Sequence, residues 1–294
     1  MTFVEAEIAS QPACWRRAAE LASARAEALP AHGERIAVVG CGTSYYMAQA
    51  YTALRESNGL GESDAFAASE FPSGRRYDRV VALTRSGTTT EVLELLGRLH
   101  GTTRTVVVTA VPSAEVRAVA DDIVELAFAD EQSVVQTRFA TTALTLFRAH
   151  LGLHTDAVVT DAGTALAEPL PEGLVDATQL SFLGRGWTVG LANEAALKMK
   201  EAALAWTESY PAMEYRHGPI SIATETTATW MFGPAPAGLP EQLRATGAQW
   251  VESGLDPLAD LIRVQRLAVA RAVAAGLDPD RPRHLTRSVV LQEA

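Results

Sequence analysis

Short apolar runs alternate with longer stretches of helical spacing along this chain. Ile36-Ala37-Val38-Val39-Gly40 is one such run and ends in glycine; residues 78–83 and 104–110 are two more, each followed by a helical stretch. The spacing predicts strands at those runs and helices over 44–58, 88–100, 114–120 and 134–153. Strands that alternate with helices predict a parallel sheet. Ahead of them, residues 5–28 carry alanine, leucine and arginine at helical spacing and predict an N-terminal helix interrupted early at Pro12.

A proline-flanked passage, Glu168-Pro169-Leu170-Pro171-Glu172, then marks a boundary. The theme restarts after it. Residues 180–184 repeat the strand-then-glycine turn of 36–40, residues 188–206 read as a helix, and 227–232 as another strand. Residues 233–240 form a Gly/Pro-rich loop, 256–276 an amphipathic helix, and 278–282 break into a C-terminal arm. The expectation is two units of one kind, residues 1–165 and 166–294.

Composition narrows the function classes. With 48% hydrophobic and 20% charged residues over 294 positions, the chain can bury a sizeable core. Its net charge of -10 repels polyanions, which argues against nucleic acid or an acidic membrane as partner. A small anion remains possible, because backbone amides and a few arginines make a pocket locally positive. Cys14 and Cys41 cannot build a disulfide framework and have no metal-ligand spacing, so no metal is expected and the cytosol is the default. Neither a signal peptide nor a membrane span is visible.

Two strand-to-helix turns carry candidate anion chemistry. Gly40-Cys41-Gly42-Thr43-Ser44 leaves backbone N–H groups free at a helix start, which suits an anion or is simply a tight turn. Thr84-Arg85-Ser86-Gly87-Thr88-Thr89-Thr90-Glu91 is richer, with hydroxyls and an arginine around one glycine. It suits a phosphate monoester; the other reading is a helix cap cluster. It lacks the lysine and spacing of a nucleotide-binding loop.

Lysine occurs only as Lys198 and Lys200; every other basic residue among the 25 is arginine. Both lie inside the predicted helix 188–206. Glu194, Lys198 and Glu201 fall at i, i+4 and i+7, on one face, and Lys200 points elsewhere. Such a stripe is either a solvated salt-bridge ladder or a base held beside a cation. His217 follows in the loop-like stretch Glu214-Tyr215-Arg216-His217-Gly218-Pro219.

Taken in order, these pieces resemble the sugar isomerase (SIS) domain family, in particular the isomerase half of glucosamine-6-phosphate synthase. The resemblance covers nearly the whole chain, from Glu7-Ile8-Ala9-Ser10-Gln11-Pro12 to Asp280-Arg281-Pro282-Arg283 and the residues after it. It implies an α/β fold of two SIS subdomains, each a flavodoxin-like parallel sheet between helices in three αβα layers. It further implies that Ser44, Thr84, Arg85, Ser86 and Thr89 hold a phosphate, and that Cys41, Thr43, Val134, Gln136 and Thr137 line a sugar. Glu201 would move a proton between C1 and C2, His217 would open the ring, Lys198 would support the developing oxyanion, and Glu194 and Arg287 would contact the substrate. No cofactor is implied. The family usually dimerises, with the histidine loop completing the neighbouring subunit's pocket.

The departures are as informative. The family's glutaminase domain has no counterpart in the sequence. Where the synthase has an imine-forming lysine on its closing arm this chain has Arg287, and a guanidinium cannot form that imine. Arg85 replaces a glutamine, as in the tagatose-6-phosphate isomerase and amino-sugar deaminase branch, and Gln136 replaces a small serine. The expectation is an enzyme that isomerises or deaminates a hexose or hexosamine 6-phosphate through an enediol or enolamine. The alternatives are a phosphosugar deglycase and a non-catalytic phosphosugar sensor.

Overall fold

The structure, a computed structural model, describes residues 1–291. It contains two parallel sheets with helices, five strands in one and four in the other. In chain order the first stretch runs α1 (Phe3–Ala9), α2 (Gln11–Ala24), β1 (Ile36–Gly40), α3 (Thr43–Ser57), β2 (Ser63–Ala67), β3 (Arg79–Leu83), α4 (Thr90–Leu99), β4 (Arg104–Thr109), α5 (Ala114–Val119), β5 (Asp122–Glu125) and α6 (Arg138–His150). The second runs α7 (Asp156–Ala167), β6 (Gln179–Gly184), α8 (Thr188–Ala203), β7 (Thr207–Pro211), β8 (Thr227–Met231), α9 (Leu239–Arg244), β9 (Gln249–Glu252) and α10 (Pro257–Ala274).

The first sheet has the order β2-β1-β3-β4-β5, the doubly wound flavodoxin arrangement, and the second repeats its opening as β7-β6-β8-β9. In each sheet a strand ending in glycine sits second from one edge and pairs in parallel on both sides. Every residue of β1 and β3 is buried, because helices cover both faces of a parallel sheet.

Contacts divide the chain into two compact units. One holds Met1–Pro12, Gln132–Val135 and Asp156–Leu285; the other holds Ala13–Glu131, Gln136–Thr155 and Thr286–Ala294. The cut expected at 165/166 differs from this in four places, residues 1–12, 132–135, 156–165 and 286 onward. Helix α7 packs on α10 and so goes with the second sheet. The N-terminal residues go with it too: the Asp280 carboxylate accepts from Phe3 N and Val4 N, both at 2.8 Å, and α1 packs on α10. The last residues return to the first sheet, for reasons given below.

Other differences are local. The break in the N-terminal helix falls at Ser10, whose hydroxyl donates to Glu7 O; Pro12 is accommodated in the first turn of α2, where its missing N–H costs nothing. The helix expected over 134–153 begins only at Arg138, and strand β7 and most of helix α9 fall in stretches for which no element was expected.

Candidate active site

In the unit built on the first sheet, β3 leads into the turn 84–89 and then α4. Neighbouring loops hold the turn. Arg85 O accepts from Ala110 N (3.2 Å), Val111 N (3.1 Å) and Thr109 Oγ1 (3.2 Å), and Ser113 Oγ donates to Gly87 O (2.8 Å). Gly87 has φ +66°, and a Cβ there would stand 2.2 Å from Val111 O, so the turn admits no side chain at that point. Its hydroxyls cluster. Thr88 Oγ1 donates to Ser86 Oγ at 3.1 Å, and Ser288 Oγ of the C-terminal arm lies 3.1 Å from Ser86 Oγ, 3.1 Å from Thr88 Oγ1 and 3.4 Å from Thr89 Oγ1. Thr84 Oγ1 is buried with no hydrogen-bond partner among the described residues. On the adjacent strand β1, Cys41 follows the strand end and buried Thr43 and Ser44 open α3, so two hydroxyl-bearing turns stand at the carboxyl ends of paired strands. Burial holds the Cys41 thiol above its ordinary value; the Glu91 carboxylate adds to this and a backbone bond at Ala68 opposes it.

Arg85 does not project into that hydroxyl cluster. It is buried, donates through Nη2 to Arg287 O (2.7 Å) and places Nη1 3.8 Å from Glu131 Oε2. Arg287 in turn donates to Glu131 O and pairs with Asp130. The other Glu131 oxygen accepts from Thr137 N (2.6 Å), Thr137 Oγ1 (2.9 Å) and Arg138 N (2.8 Å), fixing the start of α6. The arm is further tied by Thr90 N to Val289 O (3.1 Å) and Leu291 N to Thr90 Oγ1 (2.9 Å). Beside Thr137, Gln136 Oε1 is buried and without a partner among the described residues.

In the other unit, α8 follows β6 through Arg185-Gly186-Trp187, and Thr188 Oγ1 accepts from Arg185 N (2.8 Å). Lys198 and Glu194 are each 1% exposed, with Nζ 3.5 Å from Glu194 Oε1, and Lys198 also donates to Glu201 Oε2. That burial rules out a solvated ladder. Two carboxylates share one ammonium inside the protein, and the pairing fixes Glu201 in place at the edge of the buried cluster. Lys200 is exposed and takes no part.

Glu201 is the member that reaches out, 19% exposed, into a cleft of about 150 Å³ lined also by Leu204, Arg281 and Arg283. The chain turns there because Leu204 ends α8 in the left-handed region at φ 52°. Val134 lies in the segment whose Ser133 and Gln132 are bound by Glu7, and its N donates to Asp280 O (3.4 Å). His217 is exposed in a turn anchored by buried Tyr215, and its ring makes no hydrogen bond among the described residues. The structure therefore joins Glu194, Lys198 and Glu201, and separately Ser86, Thr89, Arg85 and Arg287. It does not join His217 to Glu201 or Lys198 by any contact in this chain.

Four residues with evident parts in these arrangements were given no site role from the sequence: Glu131, Ser288, Arg281 and Arg283. Arg281 and Arg283 lie in the arm motif Asp280-Arg281-Pro282-Arg283, and Ser288 is a hydroxyl next to Arg287 on the same arm.

Among the described residues no group of His, Cys, Asp and Glu is arranged to hold a metal ion, and no helix is long and apolar enough to cross a membrane.

Known proteins share both the sequence pattern and the fold. The chain is 27% identical over 297 aligned positions to a glutamine–fructose-6-phosphate aminotransferase (isomerizing) of Sulfolobus acidocaldarius, covering 88% of this chain and 50% of that protein. The chain thus spans about half the length of the curated relatives it matches. The crystal structure of a glucosamine-6-phosphate deaminase from Thermotoga maritima superposes with a TM-score of 0.82 at 23% identity, over 99% of this chain and 100% of that one. The chain has the fold of these proteins. A tagatose-6-phosphate ketose/aldose isomerase from Escherichia coli has the same SIS fold, with a TM-score of 0.80 at 18% identity over 99% and 97% of the two chains. No family model matches the chain. Two parallel α/β subdomains are thus common to this chain and to solved structures whose names include a deaminase and an isomerase.

Proposed function

We propose that the chain is a phosphosugar isomerase or deaminase acting on a hexose or hexosamine 6-phosphate. The observation that carries this reading is the buried Glu194-Lys198-Glu201 trio with Glu201 alone open to a cleft. A protein that only sensed a phosphosugar would need the hydroxyl turn and no such base. In this reading the phosphate is held by Ser44, Thr84, Ser86 and Thr89 and by amides at the start of α4, supplying remote binding energy for the reaction. Arg85 works one step behind, fixing Glu131 and the arm that bears Arg287. Cys41, Thr43, Val134, Gln136 and Thr137 line the sugar, and Gln136 Oε1 accepts from one of its hydroxyl or amino groups.

Glu201 takes the proton from C2 of the open-chain aldose and returns it at C1, through an enediol to the ketose or, for an amino sugar, through an enolamine to a C2 imine that water hydrolyses to ketose and ammonia. Lys198 neutralises the oxyanion that forms as the carbonyl electrons shift. His217 protonates the ring oxygen to open the ring. Its exposed position on a turn fits donation into the site of a partner subunit, in a homodimer of cytoplasmic protein. Arg287 stays protonated and makes no imine, so the chemistry proceeds without covalent attachment at that position.

The test is a panel of glucosamine, galactosamine, fructose and tagatose 6-phosphates, with ammonia and ketose/aldose interconversion followed on the intact chain and on Glu201→Gln. Turnover of one substrate by the intact chain and its loss in Glu201→Gln, with phosphate-ester binding retained, is the expected result. Turnover that survives the substitution removes Glu201 from the mechanism. Binding without turnover on the whole panel favours the sensor. The homodimer is tested by mixing His217→Ala and Glu201→Gln proteins: regained activity in the mixture is expected if the histidine is supplied across subunits.

A further inference from the structure

The phosphate turn stands at the carboxyl ends of β1 and β3. At the opposite end of the same sheet lies a larger cavity, about 1000 Å³, that the proposed chemistry does not use. Its wall comes from the approaches to three strands and from the last turns of α4. Four arginines line it, Arg35, Arg75, Arg76 and Arg98, against one carboxylate, Asp78. In a chain of net charge -10 that concentration of guanidinium groups stands out.

Asp78, whose Oδ2 accepts the Arg35 backbone N–H at 2.7 Å, offsets at most one of the four positive charges. Arg35 and Arg75 pair outward with Glu62 at 3.0 Å and Asp64 at 3.3 Å, half-exposed pairs of the kind that contribute little and are readily exchanged, and Arg75 also lies over the Phe66 ring at 5.6 Å. Arg76 and Arg98 have no ion pair among the described residues. Arg98 alone would be accounted for by the carbonyl end of α4, which favours a cation in its last turn. Arg76, on the approach to β3, has no such reason.

The floor is of another character. Phe71 and Tyr77 lie with ring centroids 5.8 Å apart, Arg35 stacks over Tyr77 at 5.2 Å, and Leu95 and Leu99 complete an apolar surface. Guanidinium groups around an aromatic and aliphatic floor match a ligand with two or more phosphates at one end and a planar apolar portion at the other. We infer that this cavity binds a nucleoside di- or triphosphate, its base against Phe71 and Leu99 and its phosphates on Arg35, Arg75, Arg76 and Arg98. Helix α4 separates this cavity from the phosphate turn by its own length, ten residues or about 15 Å, so the two sites are distinct.

Equilibrium dialysis of the full chain against ATP in EDTA tests this, with adenosine and inorganic pyrophosphate in parallel. Expected are one ATP per chain, affinity that falls with added salt, and weaker binding of either fragment. Arg76→Ala/Arg98→Ala, both exposed positions outside the proposed machinery, is expected to weaken ATP at least tenfold while leaving phosphosugar turnover unchanged, and Ser86→Ala is expected to bind ATP as the intact chain does. Absence of ATP binding overturns the inference, as does affinity unchanged in the double variant. Pyrophosphate binding as tightly as ATP overturns the assignment of the base. ATP binding lost in Ser86→Ala would move the nucleotide to the phosphate turn and leave the arginine cavity without a ligand.

Discussion

The two sheets use one backbone device for two kinds of chemistry. β1 ends at Gly40 and β6 at Gly184; two residues later come Gly42 and Gly186, both at φ 54°, and then a helix begins at Thr43 or Thr188. A Cβ on Gly40 would come within 2.7 Å of Ser44, and one on Gly184 within 2.3 Å of Thr188 O, so each helix start is pressed against the end of its strand. The contents then diverge. After Gly40 the turn offers Thr43 and Ser44, neutral donors at the start of α3. After Gly184 the helix carries its chemistry three turns on, at Glu194, Lys198 and Glu201, charged and largely buried. A repeated strand-turn-helix thus supplies position, and function follows from where along the helix the polar residues fall.

The largest expected difference between the two is kinetic. Glu201→Gln should lower kcat by about 10²–10⁴-fold, the range for loss of a general base, whereas Ser44→Ala should act chiefly on KM, by roughly tenfold for one lost charge-assisted bond. Steady-state kinetics on the accepted substrate would show this split. Equal effects on kcat from both would erase the assignment of separate roles.

Next in size is the cost of unpairing the buried trio. Lys198→Met leaves Glu194 and Glu201 facing one another without a cation, and should destabilise the fold by about 3–5 kcal/mol in urea unfolding. Ser44→Ala, in the neutral turn, should cost on the order of 1 kcal/mol. The glycine pair sharpens the structural side: Gly184→Ala and Gly40→Ala should each cost about 1–3 kcal/mol by overpacking, with Gly184 the more sensitive because its closer contacts are helix backbone. Thermal unfolding of the two variants checks the order.

The smallest effect concerns Cys41. With its thiol held above the ordinary range by burial and by Glu91, less thiolate is present at neutral pH than in a free cysteine. Alkylation followed by mass spectrometry should be slow near pH 7 and rise only above the usual thiol range. Glu91→Gln should bring that rise modestly lower.

What was legible in the sequence follows from burial. β1, β3, β6 and β8 are nearly continuous apolar runs because both faces are covered, and each was read directly. The strands β2, β5, β7 and β9 are short and only partly buried, with sequences such as Ser63-Asp64-Ala65-Phe66-Ala67 that carry no run to detect. The same holds at the site. Glu194, Lys198 and Glu201 share a face by helical period alone, so their association could be read locally, although only burial excluded a solvated ladder. Arg85 was read as a phosphate donor because it sits in the turn, and only the fold reveals Glu131 and the Arg287 carbonyl as its partners. Contacts between residues two hundred positions apart leave no periodicity behind.

The burial of Lys198 has a practical consequence. Lys200 is the single lysine side chain that an amine-reactive reagent can reach in the folded chain, and Lys198 becomes a second only when α8 opens. The number of acylated lysines per molecule, one or two, therefore counts opened chains directly, a stoichiometric clock for the unfolding of one helix.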